Sequence, residues 1–233
     1  MQVDSKNNIK NLFLYLFLAC AIFGTYTYIY AGNYANPITF YNRAIETNPK
    51  SAVAYYNRGE INVFHEKDYQ HALEDFNLAL KIKPDYSKAF VNRGICKEFM
   101  GDTLGALSDC ETGAKLDPDL FVAHKNIAII KNQLGLKMEA IKEWDIALTL
   151  SPDYYQGFNE RGVIKLQLED LFFAEKDFNR CIQINNSYPE AYLNRGMVYY
   201  MMKDYNKACN DWKTAASIGS DQALNLIREY CKK

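Results

Sequence analysis

From Asn11 to Asn42 the chain carries no charged side chain, and Leu12–Phe23 within it is almost wholly apolar. Tyr26, Tyr28 and Tyr30 extend the run with amphipathic rings. Leu12–Ala31 then amounts to 20 residues, about the length that crosses a bilayer core as a helix. The pattern predicts one N-terminal apolar helix. Three readings compete for it. An uncleaved single-pass anchor through residues 12–31 accounts for the length and puts the tyrosines at a membrane–water interface. A cleaved secretory signal accounts for the basic start at Lys6 and Lys10 and the small-x-small run Ala19-Cys20-Ala21. A lipoprotein signal cut near Cys20 is the third. Both cleavage readings leave ten further apolar residues unexplained, so the anchor is preferred. Lys6 and Lys10 then hold the N-terminus in the cytoplasm and the rest of the chain outside.

Beyond Arg43 small and aromatic residues return at a fixed spacing. Asn-Arg-Gly stands at 57–59, 92–94 and 194–196, Glu160-Arg161-Gly162 is a near copy, and Asn126-Ile127-Ala128 fills the remaining register. Units are 34 residues apart from Gly94 onward. Gly59 to Gly94 is 35, which predicts one extra residue in an inter-helix turn near His65–Lys67. Units are counted from Ala52, Ser87, Phe121, Tyr155 and Pro189, allowing for that extra residue. Position 8 is then Gly59, Gly94, Ala128, Gly162 and Gly196, and position 20 is alanine in all five. Position 24 is Phe76, Cys110, Trp144, Phe178 and Trp212, and Pro84, Pro118 and Pro152 close the first three units. Small residues let two helices approach, bulky ones fill the space between pairs, and proline ends the second helix. With only 12 glycines and 6 prolines in 233 residues, long helices with short connections are expected.

A 34-residue period with these markers resembles the tetratricopeptide-repeat (TPR) family. The resemblance covers residues 52–222. It implies an all-α fold, an α-α superhelix built as a solenoid of antiparallel helix pairs, here preceded by one N-terminal apolar helix. The expected divisions are a basic tail 1–10, the anchor or signal segment 11–31, a half repeat 37–50, five units at 52–86, 87–120, 121–154, 155–188 and 189–222, and a capping helix 223–233. Asn36 and Pro37 are expected to start the half repeat as N-cap and first-turn proline. Ala223, Leu226, Ile227 and Tyr230 form a stripe that would cover the last unit. No unit buries its apolar face alone, so one continuous array is expected.

Position 7 is Arg58, Arg93, Arg161 and Arg195, with Ile127 in the third unit. Position 23 is acidic throughout: Asp75, Asp109, Glu143, Asp177 and Asp211. Such recurrence predicts bidentate, partly buried pairs that hold adjoining helices together, rather than a charged binding stripe. In the family, ligands lie along the concave face lined by the first helix of each pair, at positions 2, 5, 9, 12 and 13. The resemblance assigns to that face Tyr56, Glu60 and Phe64 in the first unit. It assigns Lys88, Val91, Ile95, Glu98 and Phe99 in the second, and Lys125, Ile129 and Asn132 in the third. The fourth contributes Asn159, Val163 and Leu166, and the fifth Leu193, Met197, Tyr200 and Met201. Because Ile95, Ile129, Val163 and Met197 are apolar, the expected groove has an apolar floor suited to a peptide. Tyr56 and Glu60 stand where the family's carboxylate clamp has Lys and Asn, so no such clamp is expected.

Charge and chemistry narrow the function. Basic and acidic residues number 27 and 28, a balance that speaks against nucleic-acid binding. His65, His71 and His124 have no partner at ligand spacing, and no phosphate-loop, nucleophile-elbow or zinc-protease motif occurs. No cofactor, metal or small-molecule substrate is expected, and the protein is read as no enzyme. Cys110 and Cys181 take core positions. Cys209 and Cys231 lie near helix ends that antiparallel packing would bring together, and a disulfide and two buried thiols are the two readings. The sequence thus suggests a membrane-anchored bacterial adaptor that binds a protein or peptide. Its alternatives are a structural subunit of a larger envelope complex and an anchored receptor facing the cytosol.

Overall fold

The structure, a computed structural model, describes residues 36–231. Among them are twelve α-helices, one π-helical turn and no strand. The chain divides after Pro84 into two compact units.

In the first unit α1 (Pro37–Thr47), α2 (Ala52–Ile61) and α3 (Tyr69–Ile82) pack in sequence order. Asn36 caps α1: its Oδ1 accepts from the N–H of Ile38 at 2.9 Å and from that of Thr39. Pro37 takes the first turn, where an N–H would have no helical partner anyway. The extra residue of the first pair sits inside a helix rather than in the loop. It widens the end of α2 into a π-helical turn, Asn62–Glu66, which Lys67 terminates at φ +56°.

The second unit holds nine helices: α4 (Ser87–Phe99) with α5 (Thr103–Leu116), α6 (Phe121–Gln133) with α7 (Lys137–Leu150), α8 (Tyr155–Gln167) with α9 (Leu171–Ile184), α10 (Pro189–Met201) with α11 (Tyr205–Ser217), and the cap α12 (Asp221–Tyr230). Each pair turns over three residues and passes through the left-handed region at one register: Gly101, Gly135, Glu169 and Lys203. Glycine adopts that conformation without a Cβ penalty, which suits the first two turns. The second helix of each pair runs back along the first. First helices of neighbouring pairs also touch, α4 with α6 and α8 with α10.

The core is built from the repeating small and bulky positions. Ala106, Ala140, Ala174 and Ala208 are fully buried, as are Phe178 and Trp212. A Cβ on Gly162 would stand 2.8 Å from Cε1 of Phe178, so only glycine lets α8 lie this close to α9. The Trp212 indole N–H donates to the Leu193 carbonyl at 3.2 Å, which satisfies its polar edge inside the core. Ala223 of α12 is fully buried, and Leu226 and Ile227 pack beside it on the last pair.

One expectation is corrected. No helix among the described residues is long and apolar enough to cross a membrane, so a single-pass membrane protein is not supported. The physical reason is length and amphipathicity: the longest helices have 14 residues, about 21 Å of rise, against the ~20 apolar residues that a bilayer core requires. Segment 12–31 and the cleavage site near Cys20 lie outside the described residues, as do Lys232 and Lys233.

Cys209 and Cys231 are joined by a disulfide, with Cα atoms 5.8 Å apart, which ties α12 to α11. Closing a loop across a sequence separation of 22 restricts the unfolded chain by about 3 kcal/mol. The double variant Cys209→Ser/Cys231→Ser is expected to lose up to that amount, beginning with fraying of α12. Hydrogen exchange of non-reduced wild type and variant checks this: α12 amides exchange first in the variant. By contrast, Cys96, Cys110 and Cys181 are buried thiols, and burial pushes each up to about 12. Since the thiolate is the reactive form, iodoacetamide at pH 8 should spare all three in the folded protein and modify all three in denaturant, as read by peptide mass mapping.

Candidate partner-binding face

The most visible charges are used up inside the scaffold. Arg58, Arg93, Arg161 and Arg195 each fork onto a carboxylate of the second helix in their own pair. Nε and Nη2 donate to both oxygens of Asp75, Asp109, Asp177 and Asp211 at 2.6–2.9 Å. Nη1 of three of them reaches the preceding second helix, at Asn42, Asp145 and Asn179. Each guanidinium also lies 5.2–5.7 Å from the centroid of the ring at position 4, namely Tyr55, Phe90, Phe158 and Tyr192. Lys97 and Lys165 add a second cation at 2.8 Å to Asp109 and Asp177. Where Ile127 replaces arginine, Lys131 donates to Glu143 at 3.0 Å and His124 Nδ1 lies 2.8 Å from it. The arginine therefore joins three helices, and its recurrence follows from the packing.

The first-helix face is less uniform than its spacing suggests. Tyr56, Val91 and Asn159 are buried. The ring of Tyr56 packs on Phe76 while its hydroxyl donates to Glu60 at 2.6 Å. Asn159 accepts from Asn194 Nδ2 at 2.9 Å across α8 and α10. Val163 and Leu166 pack half-buried against Ala174, Phe178 and Val198. Leu193 and Tyr200 pack on the Trp212 cluster, with the Tyr200 ring 4.8 Å from that of Tyr230. Lys88, Phe99, Ile129 and Met201 are exposed, and Ile95, Glu98, Asn132 and Met197 are half-buried. Lys125 is also half-buried, and burial pulls its ammonium pKa down. Phe64 is exposed in the first unit and lines a shallow surface with Glu60, Tyr41 and His65.

One part of the predicted face does converge. Ile95, Glu98 and Phe99 of α4 and Asn126, Ile129 and Ile130 of α6 surround a hollow of about 110 Å³. Gly94 and Cys110 complete its lining. Asn126 and Ile130 were not among the expected site residues. The contact of α4 with α6 brings them to it, and no sequence period announces that contact. Among the described residues no group of three His, Cys, Asp or Glu could hold a metal ion.

The tetratricopeptide-repeat family profiles match residues 52–86 and 189–221. Human tetratricopeptide repeat protein 6 is 36% identical over 66 residues, which is 28% of this chain and 12% of that protein. Human serine/threonine-protein phosphatase 5 is 35% identical over 80 residues, 34% of this chain and 16% of that protein. The matched stretch thus spans only a small part of these relatives. Among solved structures, the TPR protein YrrB superposes with a TM-score of 0.70 at 18% identity, over 81% of this chain and 97% of that one. The pilF protein of Pseudomonas aeruginosa does so with a TM-score of 0.67 at 17% identity, over 78% and 93%. Period, helix pairing, profile matches and structural likeness agree: the chain carries tetratricopeptide repeats.

Proposed function

We propose that the protein is a non-catalytic interaction scaffold that holds a protein or peptide partner on the first-helix face of residues 87–201, with repeat units bounded at 52–86, 87–120, 121–154, 155–188 and 189–222. One observation carries the reading: large apolar side chains, Phe99 at 64% and Ile129 at 38% exposure, stand around a hollow between α4 and α6 while Arg93 and Lys97 of α4 are paired with Asp109. Exposed apolar groups flanking a concavity are what an anchoring side chain of a partner buries. YrrB, which shares the fold, is itself described as having an unusual peptide-binding site, and that supports a peptide as the occupant.

The test uses peptides selected from a random phage-displayed library on the full chain, with affinity read by calorimetry. Ile129→Asp is expected to weaken binding at least tenfold. Leu104→Asp, at a 70% exposed position on α5, should leave it unchanged. Loss at Leu104 with no effect at Ile129 would move the binding surface to the second helices and end this reading.

A further inference from the structure

The second unit carries a repeated apolar ridge outside its core and outside the first-helix face. At position 14, where each first helix ends, stand Met100, Leu134, Leu168 and Met202, each 39–49% exposed. Four residues on, at the start of the second helix, Leu104, Met138 and Phe172 are 57–70% exposed. All of these flank the three-residue turns. Every pair makes its turn in the same register, so they line one edge of the stack. Leu136, Phe173 and Tyr205 extend the ridge. At about 200 Å² for a large side chain, the exposed parts of these residues come to about 1,000 Å². The largest apolar patch of a monomer is ordinarily ~300–600 Å², and a stable interface buries about 800 Å² of each partner.

We infer that this ridge is covered by the same ridge of a second copy of the chain, the two running antiparallel about a two-fold axis between the turns of the third and fourth repeats. The ridge carries carboxylates as well as ammonium groups, which disfavours an anionic lipid surface as its cover. The order of those charges selects a second copy and its direction. Asp102 stands at the turn of the second repeat, and Lys137 and Glu139 at that of the third. Glu169, Asp170 and Lys176 stand at the fourth, and Lys203 at the fifth, where Asp204 is held by Lys207. Antiparallel pairing brings the second turn to the fifth of the other copy, and the third to the fourth. Asp102 then meets Lys203, and Lys137 meets Glu169 and Asp170, leaving Lys176 for Glu139. Parallel pairing would set Asp102 against Asp102 and the two carboxylates of the fourth turn against themselves, like charges at the rim of a closing apolar surface. The antiparallel contact is isologous and closed, so assembly stops at two. It is independent of the first-helix face, and either reading can fail alone.

The test is sedimentation velocity of the full chain over a concentration series. Wild type is expected as a dimer of the 26.9 kDa chain. Met138→Asp and Phe172→Asp should each weaken the dimer at least tenfold. Both side chains are more than half exposed in the single copy, so the variants should keep a wild-type far-ultraviolet spectrum. Lys137→Glu should weaken the dimer at least threefold, and adding Glu169→Lys should recover most of that loss. Neither change strains its turn. Lys203 holds the equivalent place in the last pair at φ +63°, against +59° for Glu169, and a carboxylate suits the first turn of α7 where Lys137 stands. A monomer at every concentration, or association that both Met138→Asp and Phe172→Asp leave intact, overturns the inference. A dimer that Lys137→Glu does not weaken, or that Glu169→Lys does not rescue, overturns the antiparallel order and the proposal with it.

Discussion

Asp177→Ala is expected to destabilise the protein by about 3–5 kcal/mol, the range for removing one member of a buried ion pair. The carboxylate is 6% exposed and receives Arg161 Nε, Arg161 Nη2 and Lys165 Nζ at 2.6–2.9 Å. Deleting it strands two cations that are themselves only about one-seventh exposed. The loss comes from those unpaired charges rather than from the pair's attraction, which its own desolvation largely offsets. Replacing both partners with apolar side chains, as in Arg161→Met/Asp177→Leu, should therefore cost far less than Asp177→Ala alone. Lys207→Ala provides the surface contrast. Its side chain is 62% exposed beside Asp204, and little change in stability is expected. Urea unfolding followed by circular dichroism ranks the variants; equal effects for Asp177→Ala and Lys207→Ala would mean that the ladder is decoration.

Trp144→Ala should cost a similar amount, about 3–5 kcal/mol, by a different mechanism. The indole is 1% exposed and is packed among Ala128, Ala140, Ala147, Leu148 and Ile164, with the Tyr154 ring stacked at 6.4 Å. Three of these neighbours are alanines, which have no atoms to move into the void, so the cavity should stay open. Stacked pairs touch only their neighbours, so the damage should also be local. Hydrogen-exchange protection is expected to fall in α6 through α9 and to persist in α10 through α12, where Trp212 and the disulfide hold a separate cluster. Uniform loss across all helices would show that the second unit unfolds as one block.

These two residues also show how much the sequence disclosed. Asp177 and Trp144 could be picked out because a 34-residue period puts the same chemistry at the same place in each pair. The Arg–Asp forks and the Asn36 cap were legible for the same reason: they are local or repeat-internal. What escaped depends on how one pair meets the next. Tyr56, Val91 and Asn159 share a helix position assigned to the binding face, yet all three are buried. In the second unit α4 touches α6 and α8 touches α10 along that edge. The extra residue of the first pair was visible as a count, but nothing in the composition of residues 62–67 distinguishes a widened helical turn from a longer loop. The hydropathy of residues 12–31 suggested a membrane span that no described helix supports. The hollow between α4 and α6 was the least legible, since it depends on how one first helix meets the next.

Amide hydrogen exchange of the full chain, with and without a saturating library-selected peptide, tests the proposed binding face most directly. Added protection is predicted in α4 and α6 around Ile95 and Ile129, with α5, α7 and α9 unchanged. Protection confined to those second helices, or none in α4 and α6 despite tight binding, would contradict it.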